Sequence, residues 1–210
     1  MADATWDTQS APVTPSTGQA TLYVDNITKR FSIKDDSGFV QSLSRTNFST
    51  ASQLVNNTTR AYITGTALSI PTNKVQIGTM FRWKFSMTKT AAGIATSTFD
   101  VCVGTNGTTA DTARISFTKP AGTGVADEAW VEINVTVRGP LSASGICVGE
   151  FQMIHNLSAT GHAVIPCVCV NTVSAAFDVT IASLIFGVCV TAGASDALTF
   201  QMVQSEVINV

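Results

Sequence analysis

The sequence predicts an all-β chain, an extended N-terminal arm and β-hairpin followed by an antiparallel β-sandwich. Three observations carry this. Apolar and polar residues alternate with period two in several stretches, and Gly, Pro, Asn and Thr cluster between those stretches. No helix-period segment intervenes, apart from a turn or two near Ser49–Thr59. With 210 residues, 45% of them apolar, the chain can bury a substantial core, and it divides into an arm and hairpin over residues 1–49 and a sandwich over 50–210.

The opening residues, MADATWDTQSAPVTPSTGQ, are rich in Ser, Thr, Ala and Pro. Pro12 and Pro15 interrupt any helix and little besides Trp6 is available to bury, so a flexible or extended arm is expected. Leu22-Tyr23-Val24 and Arg30-Phe31-Ser32-Ile33 are β-prone runs separated at Asp25-Asn26 and closed by Asp35-Asp36-Ser37-Gly38, a turn signal. Two strands alone are marginal in water. The hairpin therefore needs its own body, a neighbouring subunit or a larger assembly to lie on.

In MFRWKFSM, Phe81, Trp83, Phe85 and Met87 share one side and Arg82, Lys84 and Ser86 the other, so one face is buried and one is wet. The alternation recurs at Phe99, Val101 and Val103, at Ile115 and Phe117, and at Val131, Ile133, Val135 and Val137 opposite Glu132, Asn134 and Thr136. TNGTTAD and KPAGTGVADE supply the turns between them.

The second half changes character. Ile146–Met153, Ala163–Val170, Phe177–Val190 and Leu198–Val207 are apolar on both faces for much of their length, and from Gly139 to Ser195 the only charges are Glu150 and Asp178. Strands apolar on both sides are normally covered on both. One side is expected to pack the core and the other to meet another subunit, which predicts a homo-oligomer.

A net charge of -2 offers no basic footprint for nucleic acid. No cationic and apolar leader opens the chain, and the longest apolar run, Ala182–Val190, is far short of a bilayer-spanning helix, so neither a signal peptide nor a membrane partner is expected. The five cysteines, Cys102, Cys147, Cys167, Cys169 and Cys189, read as buried free thiols of a reducing compartment, since Cys167-Val168-Cys169 lacks the second ligand pair a zinc site needs.

His155 and His162 flank the turn HNLSATGH and read as loop-end histidines with local hydrogen bonds. Asp35-Asp36 has no further carboxylate nearby to hold calcium, and the glycines at 104–107 and 122–124 lack the helix and Gly-Lys-Ser/Thr ending of a phosphate loop. No nucleophile elbow and no paired carboxylates stand out. The reading is a protein that is not an enzyme, with no cofactor and no metal.

The segments TLYVDNITKRFSIKDDSG, FRWKFSMTKTAAG, TSTFDVCVGTNGTTADTARISFTKPAGTGVADE and HNLSATGH give the chain a resemblance to small jelly-roll structural proteins of tailed bacteriophages, the group of capsid decoration (cement) proteins, head fibres and some tail-fibre domains. The likeness runs from about Thr21 to the C-terminus. It implies a jelly-roll-like sandwich that assembles as a homotrimer in the virion, after synthesis in the host cytoplasm, with no catalytic residues. It also implies that the N-terminal segment is the attachment site, its contacts made by Leu22, Tyr23, Val24, Lys29, Arg30, Phe31, Ile33 and Lys34. The partner would be the major capsid protein or another virion protein, and the role capsid decoration. The alternative is a head or tail fibre that recognises host surface glycan, for which Trp130, after a long loop, is the candidate platform.

Overall fold

The computed structural model describes residues 8–26, 31–36, 38, 40–42, 45–56, 58–70 and 74–208. The chain forms two compact units, Met1–Arg45 and Thr46–Val210. Every regular element among the described residues is a strand.

The first unit is a four-stranded sheet in the order β1 (Thr8–Gln9), β2 (Ala20–Asp25), β3 (Phe31–Asp35), β4 (Val40–Ser42). The central β2–β3 pair is the expected hairpin, antiparallel with Leu22 opposite Ile33 and Tyr23 opposite Ser32. Of the two alternatives for the arm, flexible or extended, its described part takes the extended one. Its β1 lies parallel to β2, Lys34 Nζ donates to the Pro12 carbonyl at 2.7 Å, and the Gly18 amide donates to Asp36 Oδ2 at 2.7 Å. A chain with little to bury is held here by hydrogen bonds, so its described part is an ordered edge of the sheet and not a free tail.

The second unit is a β-sandwich. Its strands are β5 (Arg45–Ser49), β6 (Gln53–Val55), β7 (Ala61–Tyr62), β8 (Leu68–Ile70), β9 (Met80–Lys89), β10 (Ser97–Gly104), β11 (Thr112–Lys119), β12 (Asp127–Gly139), β13 (Ile146–His155), β14 (Cys167–Val173), β15 (Leu184–Thr191) and β16 (Leu198–Ile208). One sheet has seven strands, β14-β13-β12-β9-β16-β5 with β6 also on β16, and the other has five, β11-β10-β15-β7 with β8 also on β15. The pairs within both are antiparallel wherever register is defined. The chain leaves the large sheet after β6 and returns at β9, leaves after β9 and returns at β12, and leaves after β14 and returns at β16.

The alternating residues behave as their period requires. Phe81, Trp83, Phe85, Met87, Val131, Ile133, Val135 and Val137 are all buried in one core with Phe99, Val101, Phe117, Phe151, Phe186 and Phe200. Phe81 stacks on Phe186 with ring centroids 3.8 Å apart, and Phe99 meets Phe151 at 5.0 Å, so aromatic contacts bridge the two sheets. Trp83 buries its indole N–H by donating to the Thr66 carbonyl at 2.7 Å.

Three expectations are corrected. Where a helical turn was expected near Ser49–Thr59, the chain runs through β5 and β6, which pair with β16. The continuous apolar runs at 163–170 and 177–190 hold strands only from Cys167 and from Leu184. The outer side of β15 needs no second subunit to cover it. Tyr62 lies directly on Gly187, where a Cβ would sit 1.7 Å from its hydroxyl, and Arg60 reaches across to Asp100 (3.8 Å) and the carbonyls of Asp111 (2.6 Å) and Thr109. Two cysteines also depart from the buried reading, since Cys167 and Cys169 are exposed on β14 while Cys102, Cys147 and Cys189 are buried.

Candidate functional site

The outward residues of the seven-stranded sheet form rows, because antiparallel register places them opposite one another strand by strand. One row is Glu206, Arg82, Asn134 and Glu150; the next is Gln204, Lys84, Glu132 and Gln152; the third is Gln201, Ser86, Trp130 and Ile154. Successive rows are roughly 7 Å apart.

A β-bulge makes the β16 end of these rows possible. Gln201 pairs with Ser86 and Gln204 with Lys84, so two residues of β16 oppose Phe85 alone, and Met202 takes a positive φ of 52°. Residues three apart in a regular strand face opposite sides; the extra residue turns both glutamines outward.

The first two rows are knitted together. Arg82 lies 3.0 Å from Glu206 and 3.5 Å from Glu132, Lys84 lies 3.3 Å from Glu132, and Arg82 Nε donates to Asn134 Oδ1 at 3.0 Å. Asn134 Nδ2 donates in turn to Glu132 at 3.0 Å. Partial burial alone would raise the Glu132 pKa, but Asn134, Lys84 and Arg82 hold it below the usual carboxylate range.

A depression flanks the ladder on each side. One, of about 570 Å³, is lined by Ser86, Thr88, Glu128, Trp130, Ile154, Asn156 and Gln201 among others. The other, of about 390 Å³, is lined by Phe48, Asn47, Arg82, Lys84, Gln204 and Glu206 among others. Trp130 is 38% exposed, Ile154 57% and Phe48 65%. An aromatic ring thus stands at the margin of each depression with amides, hydroxyls and charges beside it.

A second cluster of charge lies buried where the strands end. His155 Nδ1 is 2.6 Å from Asp127 Oδ2 and its Nε2 is 2.6 Å from the Ile165 carbonyl. Both ring nitrogens are thus engaged, one by the Asp127 carboxylate and one by a main-chain carbonyl. The nitrogen a general base must keep free is occupied. The partners are not local, as Asp127 is 28 residues away on β12.

Asp127 also accepts the His162 amide at 3.0 Å. Burial would raise its pKa, but the bonds from the His162 amide, the His155 ring and the Glu128 amide outweigh that and hold it low. Gly161, at φ +86°, lies so close that a Cβ would meet Asp127 Oδ2 at 2.1 Å.

Neither ring nitrogen of the fully buried His162 has a hydrogen-bond partner among the described residues. Burial pushes its pKa down to about 4, with Asp127 pulling upward and Lys119, His155 and Lys89 adding to the fall. Buried Lys119 donates to the carbonyls of Pro120 and His162 at 2.8 Å each, and Lys89 to those of Thr90 and Thr123 at 3.1 and 2.8 Å. These charges tie the loops after β11 and β13 to the sandwich end. No group of three or more metal-ligating side chains occurs among the described residues.

Of the residues expected to make attachment contacts, Leu22 is exposed, Tyr23 and Val24 are buried, and Ile33 and Lys34 are half-buried. The Phe31 backbone pairs with Val24, and Lys29 and Arg30 lie outside the described residues. Sequence reasoning placed Arg82, Lys84, Glu132 and Asn134 on a wet face but did not single them out, and it missed Phe48, Ile154, Gln201 and Asp127. One signal was present, for Trp130 has the parity of Glu132 and Asn134 and not that of Val131 and Ile133, which puts a large aromatic on the solvent side of a strand.

No protein-family model matches the chain, and no curated protein matches it. Among solved structures it is similar to the alginate lyase Aly36B (9% identity, 85% of this chain and 84% of that one, TM-score 0.31) and to the CBM2 module of the evolved Dit of Lactobacillus casei BL23 phage J-1 (10%, 80% and 98%, 0.30). It is also similar to a lectin from Bauhinia forficata in complex with GalNAc (8%, 92% and 94%, 0.28). Likenesses this distant assign no ligand; the strand pairing itself defines the sandwich.

Proposed function

We propose that this chain is a phage virion structural protein whose N-terminal unit joins it to the particle and whose sandwich binds host surface glycan on the outer face of the seven-stranded sheet. The observation that carries the reading is Trp130, held at solvent parity on β12 beside a depression furnished with Ser86, Thr88, Glu128, Asn156 and Gln201. A sugar presents an apolar C–H face and a rim of hydroxyls. The indole suits the first, and amides, hydroxyls and carboxylates suit the second.

The charge balance narrows the ligand class. Arg82 and Lys84 are already matched by Glu132 and Glu206, and Glu128 and Glu150 add further negative charge. An uncharged glycan fits this face better than a polyanion. No catalytic step is assigned, since His155 is engaged at both ring nitrogens.

The test is a glycan array probed with the full-length protein and with Trp130→Ala. Binding to uncharged host glycans by the wild type, lost in a variant that melts at the same temperature, is the expected result. A folded wild type that ignores the surface polysaccharide of its host overturns the reading.

Capsid decoration as a homotrimer remains the second reading, favoured by the separate N-terminal unit and by Val148, Val164, Ile165 and Val173, exposed on and beside β13 and β14. Quantitative mass spectrometry of virions separates the two. Copy numbers comparable to the major capsid protein support a lattice-covering protein, and a few per cent supports a fibre or spike.

A further inference from the structure

Cys102 on β10 and Cys189 on β15 are fully buried on the side of the five-stranded sheet away from the core, and their sulfurs are 2.8 Å apart. Register explains the approach. Cys102 faces Gly187 and Cys189 faces Asp100 on directly paired strands, so the two thiols are diagonal neighbours on one face. A covalent bond needs only about 0.8 Å of further closure. Gly187, directly across from Cys102, has no side chain, and the Tyr62 ring lies over it beside the pair.

We propose that Cys102 and Cys189 are a latent cross-link, free in a reducing compartment and joined as an intramolecular disulfide when the protein meets a peroxide-class oxidant. The pair is chemically asymmetric. The Cys102 S–H donates to Cys189, which lowers the pKa of Cys189 against the effect of burial, and the Arg60 guanidinium adds to the fall; the same bond, with burial, raises Cys102.

The thiolate of one member of the pair attacks one peroxide oxygen, the O–O bond breaks, and the departing hydroxide takes up a proton to leave as water. The sulfenic acid so formed is then attacked at sulfur by the other cysteine, which loses its proton as the sulfenyl oxygen leaves as a second water. Two thiols and one hydrogen peroxide give one disulfide and two waters. The oxidant enters by local opening of the Tyr62 cover, of which the two-residue edge strand β7 is part.

The cross-link joins residues 87 apart on strands from the two halves of the sandwich sequence. Closing so long a loop in the unfolded chain is expected to raise Tm by roughly 5–15 °C for a protein of this size. This inference does not depend on what the sandwich binds.

The experiment compares full-length protein held in dithiothreitol with protein treated with hydrogen peroxide. The background is Cys167→Ser/Cys169→Ser, which removes the two exposed thiols. Titration of unfolded samples should fall from three free thiols to one, non-reducing peptide maps should show the Cys102 peptide joined to the Cys189 peptide, and Tm should rise. Peptide mapping of wild-type protein gives the same readout should the double variant fail to fold. Oxidised, folded protein in which both residues are still alkylated after denaturation, with no joined peptide, overturns the proposal.

Discussion

The sandwich carries two clusters of charge built from similar residues, and they differ in nearly everything that follows. Arg82, Lys84, Glu132 and Glu206 lie on the outer face of the large sheet with side chains 24–41% exposed. Lys119, Asp127, His155 and His162 lie buried where the strands end. Water screens the first set, so its ion pairs contribute little to stability and remain available to a ligand. The second set has no water to return to, so stability depends on every one of its hydrogen bonds and it has little to offer a ligand.

The sharpest break in that comparison is Asp127→Asn. The substitution keeps the shape but removes the buried carboxylate that the His155 ring and the His162 amide both meet. Chemical denaturation at pH 7 should show a loss of about 3–5 kcal/mol. A loss below about 1 kcal/mol would mean that the pair is no more important than a surface ion pair.

Acid should find the same cluster next. The folded-state pKa of His162 is depressed to about 4 from 6.5, so the unfolded chain binds more protons between these values and stability must fall as pH falls through that window. The full penalty, reached below pH 4, is about 3 kcal/mol. Asp127, whose pKa is lowered, adds to the loss further down, because stability held by such a carboxylate is lost as pH falls through its folded value. His162→Phe should flatten the stability profile between pH 6.5 and 4 while leaving the lower limb in place, and an unchanged profile would assign the acid response elsewhere.

How much of this was legible in the sequence follows from the range of each interaction. Period-two alternation is local, so the buried face of β9 and β12, the hairpin at β2–β3 and the solvent parity of Trp130 could all be read from neighbours in the chain. The partners that complete the fold are distant. Asp127 meets His155 across two strands, β5 and β6 join β16 from the far end of the chain, and Tyr62 covers Gly187 from more than a hundred residues away. The same limit explains the reading of β15. Apolar residues on both of its sides show that both are covered, but composition does not say whether a second subunit or the chain's own residues 60–63 do the covering.

On the open face the expected effects on stability are small and those on binding large. Glu132→Gln removes the carboxylate shared by Arg82 and Lys84, yet the pairs are partly solvated and the change should cost no more than about 1 kcal/mol in denaturation. It frees Lys84, however, leaves Arg82 with Glu206 and Asn134, and shifts the face toward positive charge. Affinity for an anionic oligosaccharide should rise relative to an uncharged one, measured by isothermal titration at low and high salt. If the preference does not move, the ladder is not part of the binding surface.

The smallest stability change belongs to the aromatic margins. Trp130 and Phe48 are exposed, so each alanine substitution should leave Tm within the scatter of ordinary surface changes, about 0.5 kcal/mol. They differ in surroundings. The Trp130 depression offers hydroxyls and amides, while the Phe48 depression is bounded by Arg82 and Glu206, committed to each other, and by Lys84, committed to Glu132. Ser86 Oγ and the Gln201 amide already donate to the Gln201 carbonyl and to Ser52, but a sugar ring stacked on the indole can exchange those hydrogen bonds without displacing the Arg82–Glu206 or Lys84–Glu132 pairs. One seated at Phe48 must displace part of the ladder to do the same. Trp130→Ala should weaken glycan binding at least tenfold and Phe48→Ala by less than about threefold, corresponding to roughly 1.4 and 0.7 kcal/mol. The reverse ranking would move the binding site across the ladder to the β5 side of the sheet.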